Sequence, residues 1–334
     1  MAFFVSFSCI YAILAIGLDL QWGYGGMFNA GVAGFWAIGA YTAAILTTPP
    51  SPPNVFGYPG HLGGFGLLFP RIGAFQTSVL VGMGGAMVLA AVFGFLIAVP
   101  TLRLREDYLA IATLGLAEII SITLQNWQPV TAGMFDIFSI PRPFDFPGQF
   151  VLTEVTFSAF VVVILAVVYF LFERMSRSPW GRVLRAVRED EDAAMVLGKN
   201  SFALKMQSFV IGCALMGLAG ALFAYFQRTI DPLSDFTALD TFFIWTVVFV
   251  GGSGNHKGAI AGAFVFYFLF WFGTHAKDWL GVPAAWSTVA IYVTYIGIGV
   301  VLILLVLFRP RGLFPEPRKV SRRPRIVLGG RGGS

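Results

Sequence analysis

Nine stretches of this chain are apolar over lengths that a single soluble core does not absorb. They run roughly over 3–20, 28–48, 73–99, 108–125, 151–172, 207–227, 237–250, 259–274 and 285–308. At about 1.5 Å of rise per residue, roughly 20 mainly apolar residues cross the hydrocarbon of a bilayer as a helix, and several of these runs reach that length. Only 12% of the residues are charged, about half the usual share of a soluble domain. A transmembrane β-barrel would alternate apolar and polar residues over about ten positions, and these runs do not alternate. The fold class is an all-α polytopic membrane protein, a bundle of about nine transmembrane helices. The seventh and eighth runs are short, so tilted, short or broken helices are expected near 237–274.

Charge then orients the bundle. If the charged island 180–200 lies in the cytoplasm and the spans alternate, 18 of the 22 Lys and Arg fall inside. Arg71, Arg142, Arg228 and Lys277 are left outside. Cytoplasmic loops of membrane proteins carry the basic excess, so this arrangement is preferred over its inverse. It puts the N-terminus outside and the C-terminus inside. Residues 1–308 then form the transmembrane domain, with a cytoplasmic loop over 173–206, and 309–334 form a basic cytoplasmic tail that can touch membrane lipids. The net charge of +5 reflects this topology and gives no footprint for nucleic acid. The outer loops 49–71 and 126–150, rich in proline, suit semi-rigid surfaces for an external partner. Cys9 and Cys213 sit in apolar runs and read as small buried hydrophobes. The first run lacks the basic leader of a cleaved signal peptide.

The island 180–200 is the one long polar segment between oily runs. From Gly181 to Leu197 it holds good helix formers and no proline, and Gly198 suits a helix end that needs a left-handed backbone. One helix along the membrane surface is expected. Arg182, Arg185 and Arg188 share a face at three-residue spacing, with acid partners expected from Glu189 to Asp192. Ala193 and Ala194 are small enough to let another protein approach.

Glycines crowd two other stretches. Gly23, Gly25, Gly26, Gly31, Gly34 and Gly39 lie in one, and Gly251, Gly252, Gly254, Gly258 and Gly262 in the other. Gly254, Gly258 and Gly262 recur every four residues, a spacing that lines one helix face for close packing. Both stretches contain Gly-Gly-x-x-Asn, ending at Asn29 and Asn255, which hints at an internal repeat of the kind many transporters have. Unwound backbone at these places would line a pathway, so Asn29 is a candidate pathway residue. Glu118 is another. It falls near the middle of the fourth span, where a carboxylate is costly and no Lys or Arg lies mid-span to pair with it.

Signals for catalysis are missing. His61, His256 and His275 show no metal-ligand spacing, and no Gly-rich phosphate loop precedes Gly198-Lys199 or Lys257. The expectation is a transport subunit that is not itself an enzyme, has no catalytic residue, metal or cofactor of its own, and neither binds nor splits ATP alone.

Four segments, in order along nearly the whole chain, resemble LivM-type permease subunits of the branched-chain (hydrophobic) amino-acid importers. They are Tyr11 to Gly26 leading to Gly31–Tyr41, Leu102 to Glu118, Ser178 to Gly198 continuing to Gly217–Leu222, and Phe308 to Phe314. Only about ten residues precede Tyr11, where family members usually carry a further apolar run. The resemblance implies one permease half of an ATP-driven importer in a bacterial or archaeal cytoplasmic (inner) membrane. Its partners would be a second, LivH-like permease, two cytoplasmic ATPases that bind the ATP and Mg, and an external or periplasmic solute-binding protein. The acidic-Ala-Ala-x-x-x-Gly pattern, Asp192, Ala193, Ala194 and Gly198 with Arg188 beside it, would be the segment the ATPase grips. The cargo would be a small zwitterion with an aliphatic side chain. The family also includes urea and short-amide importers, and a secondary transporter of a small neutral solute is a further reading of the same composition.

Overall fold

A computed structural model describes residues 2–48, 71–72, 75–76, 78–146, 148–279, 287–309 and 312–316. Much of the loop 49–71 and of the tail 309–334 lies outside these. Among the described residues the regular structure is helical, apart from a two-residue antiparallel pair, Arg71–Ile72 with Phe75–Gln76, and an isolated bridge between Ile137 and Ile230.

The long helices are α1 (Ala2–Asp19), α2 (Val32–Thr47), α3 (Ser78–Thr101), α4 (Glu106–Asn126), α6 (Phe150–Arg177), α9 (Ser201–Gln227), α10 (Ala238–Gly251), α11 (His256–Trp279) and α12 (Ser287–Phe308). Short α5 (Gln128–Thr131), α7 (Pro179–Glu189) and α8 (Glu191–Val196) lie between them. Each apolar run thus became one helix. Among the described residues, six helices are long and apolar enough to cross a membrane, and three apolar stretches, Val32–Thr47, Ala238–Gly251 and Tyr292–Val301, are shorter. The shortness expected near 237–274 falls on α10, whereas α11 is full length. The second short helix is α2.

α1 and α9 form the centre, with 78% and 83% of their apolar windows buried, against 17% for α4. α9 packs on α2 and α3, and α1 packs on α6, α9 and α11. Glycine sets these approaches. A Cβ on Gly39 would stand 2.1 Å from the Gly217 carbonyl oxygen, and one on Gly220 would stand 2.1 Å from that of Trp36. Backbone meets backbone there, as dispersion between close-packed helices in lipid requires. α4 touches mainly α2.

The connections gather at two ends of the bundle. At one end Ile137 pairs with Ile230, and Arg142 donates to the Phe226 carbonyl at 2.8 Å and pairs with Glu154 at 2.5 Å. At the other end lie 20–26, 178–200, 252–255 and 312–316.

Candidate functional site: the surface helices and the two glycine breaks

The island folds as two helices, where one was expected. Asp190 leaves the helical region, with φ −154° and ψ 101°, and its carboxylate accepts from the Ala193 N–H at 2.9 Å. Such an N-cap satisfies an otherwise orphaned donor and starts a new helix. α7 opens the same way, with Ser178 as N-cap and Pro179 in its first turn. Gly198 closes α8 at φ +74°, as its position suggested. Ala194 is buried inside the subunit, while Asp192, Ala193 and Gly198 are exposed. Beside them Val196 and Leu197 are 87% and 78% exposed. Two bare apolar side chains thus sit side by side on a polar segment.

The expected acid partners of the arginines are elsewhere. Glu191 pairs with Lys205 at 2.5 Å. Its partial burial favours the neutral acid, but the bonds from Lys205 and Ser201 hold it below the ordinary glutamate value. Arg182 turns away and donates to the Arg177 carbonyl. Arg185 and Arg188 turn into the protein. Arg188 donates to the Gly23 carbonyl and to Glu316, the latter at 2.8 Å. Arg185 approaches Glu316 at 4.0 Å and lies over the Tyr24 ring.

Gly23 belongs to a π-helical turn, Leu20–Tyr24, that ends α1. Beyond it the chain is non-helical until α2, and Gly34 near the start of α2 packs on Ala117, close to the midpoint of α4. Irregular backbone at such depth needs protein partners for its polar groups, and they are present. The Met27 N–H donates to the Gln21 carbonyl at 2.9 Å, the Ala30 N–H to Thr113 Oγ1 at 3.0 Å, and Trp245 Nε1 to the Asn29 carbonyl at 3.0 Å. Asn29 itself is fully buried, donates to Gln21 Oε1 at 2.8 Å and accepts from the Gly31 N–H at 2.8 Å. Both polar atoms of its side chain and its carbonyl are engaged within this subunit, in the manner of a pin.

The second break, 252–255, sits against the first. The Gly254 N–H donates to Asp19 Oδ1 at 2.7 Å, and a Cβ on Gly23 would meet Gly254 N at 2.4 Å. Asn255 accepts from the N–H two residues on, Lys257, at 3.1 Å, as Asn29 does from Gly31. The two asparagines therefore close the same kind of i to i+2 turn, and the breaks lie against each other through Asp19, Gly23 and Gly254. Gly254 lies in this turn at φ +77° and not on a helix face with Gly258 and Gly262. Gly251 takes its place in the seam: a Cβ on Gly258 would stand 2.5 Å from the Gly251 carbonyl oxygen, and one on Gly262 2.8 Å from Gly251 N. The segment 312–316 closes the assembly. Leu313 and Phe314 donate to the Val250 and Gly251 carbonyls at 2.9 Å, and Asn255 donates to the Phe314 carbonyl at 3.3 Å.

Sequence reasoning missed Glu316, Gln21 and the bridge at His256. The His256 ring joins Tyr24, at 3.0 Å, to Glu173. Gln21 next to Asp19, two polar residues in an apolar run, was the available signal. Glu118 is exposed on α4, on the same side as Ile111, Gly115 and Ile122, with no hydrogen-bond or ion-pair partner among the described residues. No group of three metal-ligating side chains occurs among the described residues.

The family profile of the branched-chain amino acid transport system permease component matches residues 1–306. The high-affinity branched-chain amino acid transport system permease protein LivM of Escherichia coli strain K12 is 34% identical over 331 residues, covering 92% of this chain and 68% of that protein. A probable LivM of Methanocaldococcus jannaschii is 29% identical over 328 residues, covering 92% and 91%. LivH of Escherichia coli strain K12 is 28% identical over 331 residues, covering 95% of each chain. No solved structure matches.

Proposed function

The chain belongs to the branched-chain amino acid transport permease family, and on that premise we propose that it is one permease half of an ATP-driven importer of leucine, isoleucine and valine. It crosses the membrane with nine helices, two of them short, and keeps 178–200 and the C-terminus in the cytoplasm. A second permease of the LivH type covers the free side of α4. Two ATPases, which carry ATP and Mg, dock at Val196, Leu197 and Gly198. An external binding protein delivers the cargo at the opposite end.

The observation that carries this reading is Arg188. It joins α7 to the carbonyl of Gly23 and, through Glu316, to the segment stapled on the 252–255 break. A displacement of α7 by the ATPases therefore acts on both interruptions at once. Two arrangements of these interruptions, biased by the nucleotide state of the ATPases, are what alternating access needs.

Reconstitution with the cognate ATPases and binding protein tests it. ATP should drive uptake of labelled leucine, and Leu197→Glu should abolish both uptake and co-purification of the ATPases. Uptake driven by an ion gradient without ATP would replace the importer by a secondary transporter. Uptake that urea or a short amide suppresses, and that leucine, isoleucine and valine do not, would replace the cargo.

A further inference from the structure

At the end of the bundle opposite the breaks, a cavity of about 180 Å³ lies among α1, α2 and α9 to α12. It reaches the surface at Gln227, the exposed last residue of α9. Pockets for drug-sized molecules hold about 300–1,000 Å³, so its occupant is small, on the scale of one amino acid. Most of the wall is aromatic and includes Tyr11, Tyr267 and Tyr295. Two carboxylates, Asp235 and Asp240, join the wall, and no Lys or Arg does. Asp240 accepts from Thr237 as a helix cap, and Asp235 accepts from the Asp231 N–H at 3.0 Å. Neither has an ion-pair partner among the described residues. Burial, and then the negative charge of Asp231, Asp240 and Asp136, push Asp235 up to about 6. The cavity wall is therefore short of positive charge.

Trp36 lines the same cavity and is 2% exposed. The wall thus lacks a cation, and offers apolar faces beside its two carboxylates. Aromatic faces attract an ammonium as well as an alkyl group.

We propose that this cavity binds the cargo on its way through the subunit. The ammonium of a zwitterionic amino acid lies against Asp235 and Asp240, and its aliphatic side chain packs on the tyrosines. The proposal rests on the reading of the chain as an amino-acid permease and adds the place and polarity of the site.

The test uses the complete transporter in lipid nanodiscs with a cysteine introduced at Phe270, which also lines the cavity. Native Cys9 and Cys213 are buried, and the protein without the new cysteine gives the background. With every rate here and below divided by that reagent's rate with a free thiol, a trimethylammonium-ethyl thiosulfonate should modify F270C at least about tenfold faster than the sulfonate-ethyl reagent of opposite charge. Adding D235N should bring the two rates within about twofold. L-leucine and 3-methylbutylamine should both slow modification, and 4-methylpentanoate should not. If F270C does not assemble, a cysteine at Phe243, another wall residue, gives the same readout. Equal rates for the two reagents, a preference that survives D235N, or protection by 4-methylpentanoate without protection by the amine overturns the site. If leucine is imported yet fails to protect, the site falls and the permease reading stands. If leucine is neither imported nor protective while 3-methylbutylamine protects, the cargo reading falls and the cation cavity stands.

Discussion

Removing the Arg188 guanidinium should loosen the first glycine break without touching it. In Arg188→Met the stem and its packing remain, and two polar links go. One is a charge-assisted bond to the Gly23 carbonyl, worth about 1.5–3 kcal/mol. The other is the pair with Glu316, whose partners are 23% and 29% exposed, so solvent screening holds its share to about 0–1 kcal/mol. Arg185, 4.0 Å from Glu316, recovers part of the second term. The loss is about 2–3 kcal/mol, which corresponds to roughly a 30- to 150-fold rise in local opening at about 1.4 kcal/mol per decade. Hydrogen exchange followed by mass spectrometry on the complete transporter reads this directly. The Gly26 and Met27 amides, bonded at 2.9 Å to the Trp22 and Gln21 carbonyls, should exchange at least about tenfold faster. Arg182→Met is the control, because that guanidinium reaches only the Arg177 carbonyl at the exposed edge. Exchange in R188M within about twofold of wild type, or equal to that in R182M, would refute the idea that α7 holds the break.

Gly258→Ala should lower the thermal midpoint of the subunit, since its methyl would sit 2.5 Å from the Gly251 oxygen and overpacking of this kind costs about 1–3 kcal/mol. Gly84→Ala, where nothing lies within 4 Å, should not lower it, and equal midpoints for the two would contradict the seam. A cysteine at Ser178 should be labelled only from the cytoplasm and one at Ser234 only from outside, with the opposite pattern inverting the topology. Glu118→Gln should alter transport or pairing with the second permease, and a variant silent in both would leave this carboxyl a structural group. In the F270C assay the preference for the cationic reagent should fade as pH drops through about 6, where Asp235 takes up its proton, and should be present above it; D235N should remove that dependence. The sign follows from a raised acid, which is neutral below its folded value and charged above it. Because Asp231, Asp240 and Asp136 surround Asp235, residual preference at low pH would be read in D240N next.

The helices were legible because a run of apolar residues has one economical form in lipid, and every run became a helix. The two glycine breaks were legible because both carry Gly-Gly-x-x-Asn, and in each the asparagine accepts from the N–H two residues on. Their meeting was not legible, since Asp19 and Gly254 are 235 residues apart in sequence. The same distance problem hid Glu316, which is 128 residues from Arg188, and left Glu189 to Asp192 as the nearer guess. Asp190 was visible as a polar residue in good helix-forming sequence, but its carboxylate chose the Ala193 N–H over the arginines, and the helix split there. Gly254 fitted a four-residue spacing that ignores where α11 begins. Asp235 and Asp240 lay at the edge of an apolar run, and only the fold shows that they share a chamber with Trp36.

The bare face of α4 has a consequence for how the cell makes this protein. A chain that inserts alone exposes Glu118 to acyl chains, at about 2.5–3.5 kcal/mol near the bilayer centre on insertion scales, and α4 has little of the rest of the molecule to hold it. If the proposed second permease covers this face, the lifetime of the subunit should follow the supply of that mate. Pulse-labelling with the mate withheld should show rapid turnover, and Glu118→Leu should lengthen the half-life of the orphan. Equal half-lives with and without the mate would mean that lipid alone satisfies this face. Synthesis of the two halves would then have to be matched in amount, with the surplus of either one discarded before it can leak.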